Sequence, residues 1–215
     1  AQDKGMSTGL ITTTRVTHAT PAVFGAHNPD RNDENGIADD YLANAIDFIV
    51  GGGVRHFIPQ DFPKDSVDPA GNTIKSKRND DVNLLDDFAD AGYDVFWGSE
   101  GAEDFMNTDF TTEDKILALF TYSHIPYEID RVNDEMILPS LAEMTSAAVD
   151  ALSSNENGFF LMIEGGRIDH ACHANDIAGT IWDTLAFDEA VKVGYDFLQN
   201  HADETLILVC GDHET

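Results

Sequence analysis

Basic residues are scarce in this chain: 12 lysines and arginines stand against 40 aspartates and glutamates, a formal charge of −28 over 215 residues. A surface that negative repels a polyphosphate, which excludes nucleic acid as a partner. Cysteine is nearly missing. Cys172 and Cys210 are the only two, and their spacing fits no CxxC zinc or redox motif. They read as small buried residues, with a thiolate ligand or a disulfide as the alternatives. No apolar run approaches the roughly 18 residues that suggest a membrane span. Residues 1–9, AQDKGMSTG, show neither the basic nor the apolar part of a secretory leader. Internal repeats and low-complexity segments are absent too.

What is present suits a packed fold. A chain of 215 residues that is 42% hydrophobic buries a real core, as one large domain or as part of one. Only a few of the 40 acids can be ligands, so the excess lies on the solvated surface. The dispersed Asp80, Asp81, Asp86, Asp87, Asp90 and Asp94, with little lysine, point to a halophilic or marine origin, where salt screens self-repulsion. A generally acidic extracellular protein is the alternative, and stability that does not change between low and molar salt would favour it.

Helix and strand patterns alternate along the chain. Residues 7–14 (STGLITTT) predict a strand, and 38–50 a helix with Leu42, Ala45, Ile46 and Ile49 on one face, ended by Gly51, Gly52 and Gly53. Strands are predicted at 54–58, 93–97, 116–122, 159–163 and 205–210. Helices are predicted at 84–91, at 139–152, and at 176–200 with Ile177, Ile181, Leu185, Val191, Tyr195 and Leu198 inward. Residues 61–81 read as a surface loop. The alternation predicts a three-layer α/β/α fold around a mostly parallel central sheet. The three glycines are not read as a phosphate loop, because the predicted order there is helix, glycines, strand.

The chemistry concentrates where two apolar strands end. GFFLMIEGGRIDHACH, at residues 158–173, runs from a strand into Glu164, Asp169, His170 and His173. The strand at 205–210 ends in Asp212 and His213. Carboxyl ends of parallel strands are where open α/β sheets place their sites. Asp169 and His173, four apart, share one face of a helical turn and suit Zn²⁺. Asp212 and His213 are adjacent and share an ion only where the strand gives way to a loop. Glu164 suits a harder ion such as Mg²⁺. A single Asp and His four apart is commonly a surface pair; two such clusters at strand ends favour a metal site.

EGGRIDHACH (164–173) preceded by GFFLMI, GDHET (211–215) and THATPA (17–22) resemble the alkaline phosphatase family, and the likeness extends through the glycine segment and PSLAEMTSAAVDAL. The resemblance implies that Asp169 and His173 bind one zinc, Asp212 and His213 a second, and Glu164 and Thr20 a magnesium. It implies an indirect or altered contact of His18 with that third ion, and places His170 near the phosphate through water. Arg31, thirteen residues after His18, matches the arginine that grips the substrate phosphate. Its planar guanidinium suits two phosphate oxygens, and a surface ion pair with Asp30, Asp33 or Glu34 is the alternative.

The implied reaction is hydrolysis of small phosphate monoesters through a phosphoserine, with inorganic phosphate as product, at two zinc ions and one magnesium. A periplasmic or secreted location and a homodimer of the full-length protein are implied as well. The family's nucleophilic serine, an N-terminal aspartate and a third histidine have no counterpart in these 215 residues, and Ser7 and Thr12 to Thr14 do not replace the serine. Residues 1–215 are therefore expected to be part of a single catalytic domain, and the isolated chain is expected not to hydrolyse p-nitrophenyl phosphate. The competing readings are another metal hydrolase of the superfamily, a phosphodiesterase or sulfatase, and a non-catalytic acidic cation-binding protein.

Overall fold

The computed structural model describes residues 1–110 and 115–211. Five strands, β1 (Ser7–Arg15), β2 (Phe48–Gly52), β3 (Tyr93–Trp97), β4 (Lys115–Leu119) and β5 (Phe159–Glu164), form one parallel sheet in the order β3-β4-β2-β1-β5. Near-continuous apolar strands need cover on both faces, and alternation along each strand supplies two cores. Leu10, Ile49 and Leu117 face one way and pack with α2 (Glu34–Ala43) and α3 (Leu84–Asp90) through Ile37, Tyr41, Leu84 and Phe88. Ile11, Phe48, Val50 and Ile116 face the other way. They pack with α4 (Gly98–Asn107) and α6 (Leu141–Leu152) through Phe105, Leu141, Met144 and Ala148, the short α5 (Glu128–Asn133) lying between these two helices in the chain. Full burial of each large side chain contributes about 1.5–3 kcal/mol. This is the expected three-layer α/β/α arrangement.

Local chemistry explains the helix ends. Ser140 and Glu143 form a reciprocal capping box at α6, with Pro139 just before it. Asp33 caps α2 and Asp176 caps α8 (Ile177–Asn200), each accepting from a backbone N–H.

Four expectations are corrected. The helix predicted over 38–50 is two elements: α2 stops at Ala43, Ala45 turns at φ 50°, and Phe48 to Val50 belong to β2. β-branched residues beside a phenylalanine fit a buried strand better than a helix. Residues 54–56 form a 3-10 turn, not a strand, so Gly51 and Gly52 end β2 and Gly53 leads into that turn. Residues 205–210 join no ladder among the described residues, and Leu206 and Leu208 are each 81% exposed. Finally, α8 turns a different face inward. Gly179, Asp183 and Ala190 are buried, whereas Ile177, Ile181, Leu185 and Tyr195 are exposed. The helix approaches α6 and α7 (Arg167–His173) through its small residues, as close packing favours. None of the described helices is long and apolar enough to cross a membrane.

Because every strand is parallel, all five carboxyl ends lie along one edge. The three glycines let that edge close up. A Cβ at Gly52 would stand 2.1 Å from the carbonyl oxygen of Ser123, and one at Gly51 would stand 2.7 Å from that of Thr12. The turn after β4 thereby comes down against the ends of β1 and β2, bringing His124 with it.

Candidate functional site

Glu164 is the last residue of β5, in register with Thr12 of β1. The carboxylate accepts from Thr12 Oγ1 at 2.5 Å and Thr14 Oγ1 at 3.3 Å, and both threonines are buried. Gly165 and Gly166 then turn the chain into α7. A Cβ at Gly166 would lie 2.5 Å from Thr14 Cγ2 and 2.9 Å from Glu164 Cδ, so a side chain there would dislodge the carboxylate.

One helical turn sets the next three groups. Asp169 Oδ1 and His173 Nε2 are 3.3 Å apart at i, i+4, His173 largely exposed and Asp169 partly so. Arg167 opens the helix, its N–H donating to Thr13 Oγ1 at 3.1 Å and its Nη1 standing 2.9 Å from His170 Nδ1.

A second chain of contacts starts at Glu34 in α2. Its carboxylate takes two hydrogen bonds from Arg15, Nε at 2.6 Å and Nη2 at 2.9 Å, and a third from Thr17 Oγ1 at 2.6 Å. Burial opposes ionisation of Glu34, but the hydrogen bonds from Arg15 and Thr17 outweigh it, and its pKa is lowered. Arg15 also holds His124, whose two ring nitrogens face the backbone N–H and the Nη1 of that one residue. A neutral ring accepts from one of them through its single lone pair, and a protonated ring would bring donors to both. Burial first, and the Arg15 charge second, push His124 down to about 2.

His124 sits edge-on to His18 and His170, with centroid separations of 5.6 and 4.5 Å, and His18 lies 5.6 Å from His170. Burial lowers the pKa of both partners, aided most by Arg15 for His18 and by Arg167 for His170. Three imidazoles thus line an edge flanked by arginines. Such a surface inside a strongly acidic chain is suited to an anion.

The structure gathers some of the residues singled out above and not others. His18, His170 and Glu164 lie at the carboxyl edge with α7, and His18 is the N-cap of α1 (Ala19–Gly25). Thr20 is in the first turn of α1, partly exposed, and no hydrogen bond joins it to Glu164 among the described residues. Arg31 is exposed in the turn before α2, near enough for its charge to lower the His18 pKa. Among the described residues no ion pair holds it, so the surface-pair alternative is not observed. Asp212 and His213 lie outside the described residues. Both cysteines are free, Cys172 partly buried and Cys210 exposed, which corrects the expectation that both are buried and sets the disulfide aside.

Arg15, Glu34, His124 and Arg167 were not singled out in the sequence. The rule that found Glu164 also covers Arg15, which ends β1, and His124, which follows β4 by a few residues. Glu34 had no such signal, because its role depends on α2 folding back onto β1.

Asp169 and His173 offer one oxygen and one nitrogen on the same face, a donor set that zinc takes readily. They fit a zinc as two of its ligands. Among the described residues no three His, Cys, Asp or Glu side chains converge as a complete site. Glu164, an anionic carboxylate among hydroxyls, fits a hard cation.

Comparison with known proteins finds one family along nearly the whole chain. The chain is 39% identical over 223 residues to the repressible alkaline phosphatase of Saccharomyces cerevisiae, covering 98% of this chain and 38% of that protein. Among solved structures, the Thermus thermophilus alkaline phosphatase superposes with a TM-score of 0.79 at 40% identity, covering 94% of this chain and 38% of that one. A TAB5 alkaline phosphatase mutant, solved with Mg bound in its M3 site, gives 0.74 at 26% identity over 94% of this chain and 50% of that one. The chain spans 41% and 38% of two curated relatives it matches, about two fifths of their length. The alkaline phosphatase family model matches residues 1–215. The chain belongs to the alkaline phosphatase family.

Proposed function

We propose that the protein hydrolyses small phosphate monoesters, releasing inorganic phosphate through a phosphoserine formed on a serine outside residues 1–215. The observation that carries this reading is the shared edge of Asp169, His173, Glu164 and the His18, His124 and His170 cluster, in a chain matched throughout by the alkaline phosphatase family model. Asp169 and His173 would hold one zinc, Asp212 and His213 a second, and Glu164 with Thr20 a magnesium, with His18 acting on that ion indirectly. When bound, the ions supply charge for the attacking and leaving oxygens of an in-line displacement.

The chain's own residues then bind and orient. Arg31 offers two parallel N–H donors to phosphate oxygens, and its exposed position before α2 leaves it clear to close on a substrate. His170 contributes a hydrogen bond through water. Thr12 and Thr14 hold Glu164 fixed. Against the net charge of −28, Arg15, Arg31 and Arg167 with the bound cations make the local field favourable for a dianion. A periplasmic or secreted location and a homodimer belong to the same proposal.

The test is metal analysis with turnover on the purified full-length protein, since residues 1–215 alone are expected to be inactive. Two zinc ions and one magnesium per chain, with p-nitrophenyl phosphate hydrolysis lost to a chelator and restored by zinc, is the expected result. Faster turnover of a phosphodiester or a sulfate ester would replace the monoesterase reading. Weak oxygen-ligated cations with no turnover would favour a cation-binding protein.

A further inference from the structure

Arg167 is a largely buried cation with no carboxylate in an ion pair among the described residues. Its guanidinium lies 3.8 Å from the centroid of the Tyr127 ring, and its Nε is buried with no hydrogen-bond partner among the described residues. What it does bind is an imidazole, Nη1 standing 2.9 Å from His170 Nδ1. A guanidinium has five donors and no acceptor. The contact is attractive only if Nδ1 brings a lone pair. A neutral imidazole with its lone pair on Nδ1 carries its proton on Nε2.

We propose that Arg167 is a positioning residue that fixes His170 as a neutral, Nε2-protonated hydrogen-bond donor for a phosphate oxygen, or for a water on one. Its role toward phosphate rests on the phosphatase reading above. Two things follow for α7. His170 has no lone pair free for a metal, since Nδ1 is taken by Arg167 and Nε2 bears the proton. The two histidines of the helix therefore divide their tasks: His173 stands with Asp169, and His170 donates. The packing against His124 and His18 holds the ring plane.

The rival role for Arg167 is a brace stacked on Tyr127, with no effect on the tautomer. Histidine ¹⁵N NMR of the metal-free protein separates the two. The wild type is expected to show His170 with Nδ1 bare and Nε2 protonated. Arg167→Met keeps an unbranched side chain against Tyr127 but has no donor, and is expected to give mixed tautomers. Arg167→Lys restores a donor and is expected to recover much of the wild-type signal.

With metals bound, inorganic phosphate is the probe. Its inhibition constant is expected to rise about tenfold in Arg167→Met and in His170→Phe, the size of one lost charge-assisted contact. The double variant is expected to be no weaker than His170→Phe alone. An unchanged His170 tautomer in Arg167→Met, or penalties that add in the double variant, overturns the proposal. Failure of phosphate to inhibit the wild type overturns the phosphatase reading instead, and the tautomer spectrum still decides what Arg167 does to His170.

Discussion

Thr12 and Glu164 face each other across the β1–β5 ladder, and the buried Thr12 hydroxyl donates to the Glu164 carboxylate at 2.5 Å. Thr14 reaches the same oxygen from 3.3 Å, and the Thr14 N–H donates to Thr12 Oγ1 at 2.9 Å. Two strands that pair by backbone are thus locked at their ends by side chains. Thr12→Val keeps the shape and removes the hydroxyl, leaving the carboxylate with its weaker contact. The expected cost is about 1–3 kcal/mol, the penalty for a charged acceptor losing a partner. Urea unfolding measures it, and a loss below a few tenths would show that water replaces the hydroxyl freely.

Glu34 joins α2 to the end of β1 by holding Arg15 through two hydrogen bonds, and both side chains are largely buried. Glu34→Gln removes the charge and turns one oxygen into a donor that faces a guanidinium. Breaking one side of a buried pair costs about 3–5 kcal/mol, and an isosteric amide should fall toward the low end. Arg15 also holds His124. The same variant should therefore weaken the His124 restraint, visible as a shift of its ring signals in NMR, and unmoved His124 signals would break the link between the two networks.

Asp183 offers a pH test. It is 4% exposed, and burial raises its pKa to about 6 against an ordinary 3.8, with the Glu128 N–H and the Arg167 charge pulling the other way. The folded state holds this proton more tightly than the unfolded chain. The stabilisation it brings is complete below about pH 4 and is lost as pH rises through 6. Two pKa units set an upper bound of about 3 kcal/mol. Asp183→Asn cannot ionise and still presents an oxygen to Glu128. It should match the wild type at pH 4 and exceed it by about 1–3 kcal/mol at pH 8. His56, buried and lowered to about 4, acts in the opposite direction, but it is present in both proteins and cancels from the difference. Equal stability at both pH values would mean that Asp183 ionises freely in the fold.

The parallel sheet was legible because strand and helix periodicities differ and alternate along the chain. The Asp169 and His173 pair was legible because a four-residue spacing is local. The inward face of α8 was not. Ile177, Ile181, Trp182 and Leu185 spread apolar residues around the helix, so periodicity alone could not rank one side, and the small Gly179 and Ala190 decide the contact. The Arg15, Glu34 and His124 network was hidden for another reason. Its members are 109 and 19 residues apart in the chain, and only the closing of three strand ends brings them together.

That closing makes Gly52 the most demanding of the three glycines. A Cβ there would sit 2.1 Å from the Ser123 carbonyl oxygen and 2.6 Å from Thr121 Oγ1, and backbone cannot move aside as a side chain can. Gly52→Ala must displace the turn that carries His124. The expected loss is at least about 2 kcal/mol of stability, at the upper end of overpacking penalties. Gly71→Ala is the comparison, since its Cβ meets nothing within 4 Å and only the left-handed φ of 77° opposes the change. That conformational cost is about 1–2 kcal/mol. The two variants differ most at the site. Gly52→Ala should separate His124 from Arg15 and His170, whereas Gly71→Ala should leave all three in place. Unchanged His124 and His170 ring signals in Gly52→Ala would show that the strand ends do not need this close approach.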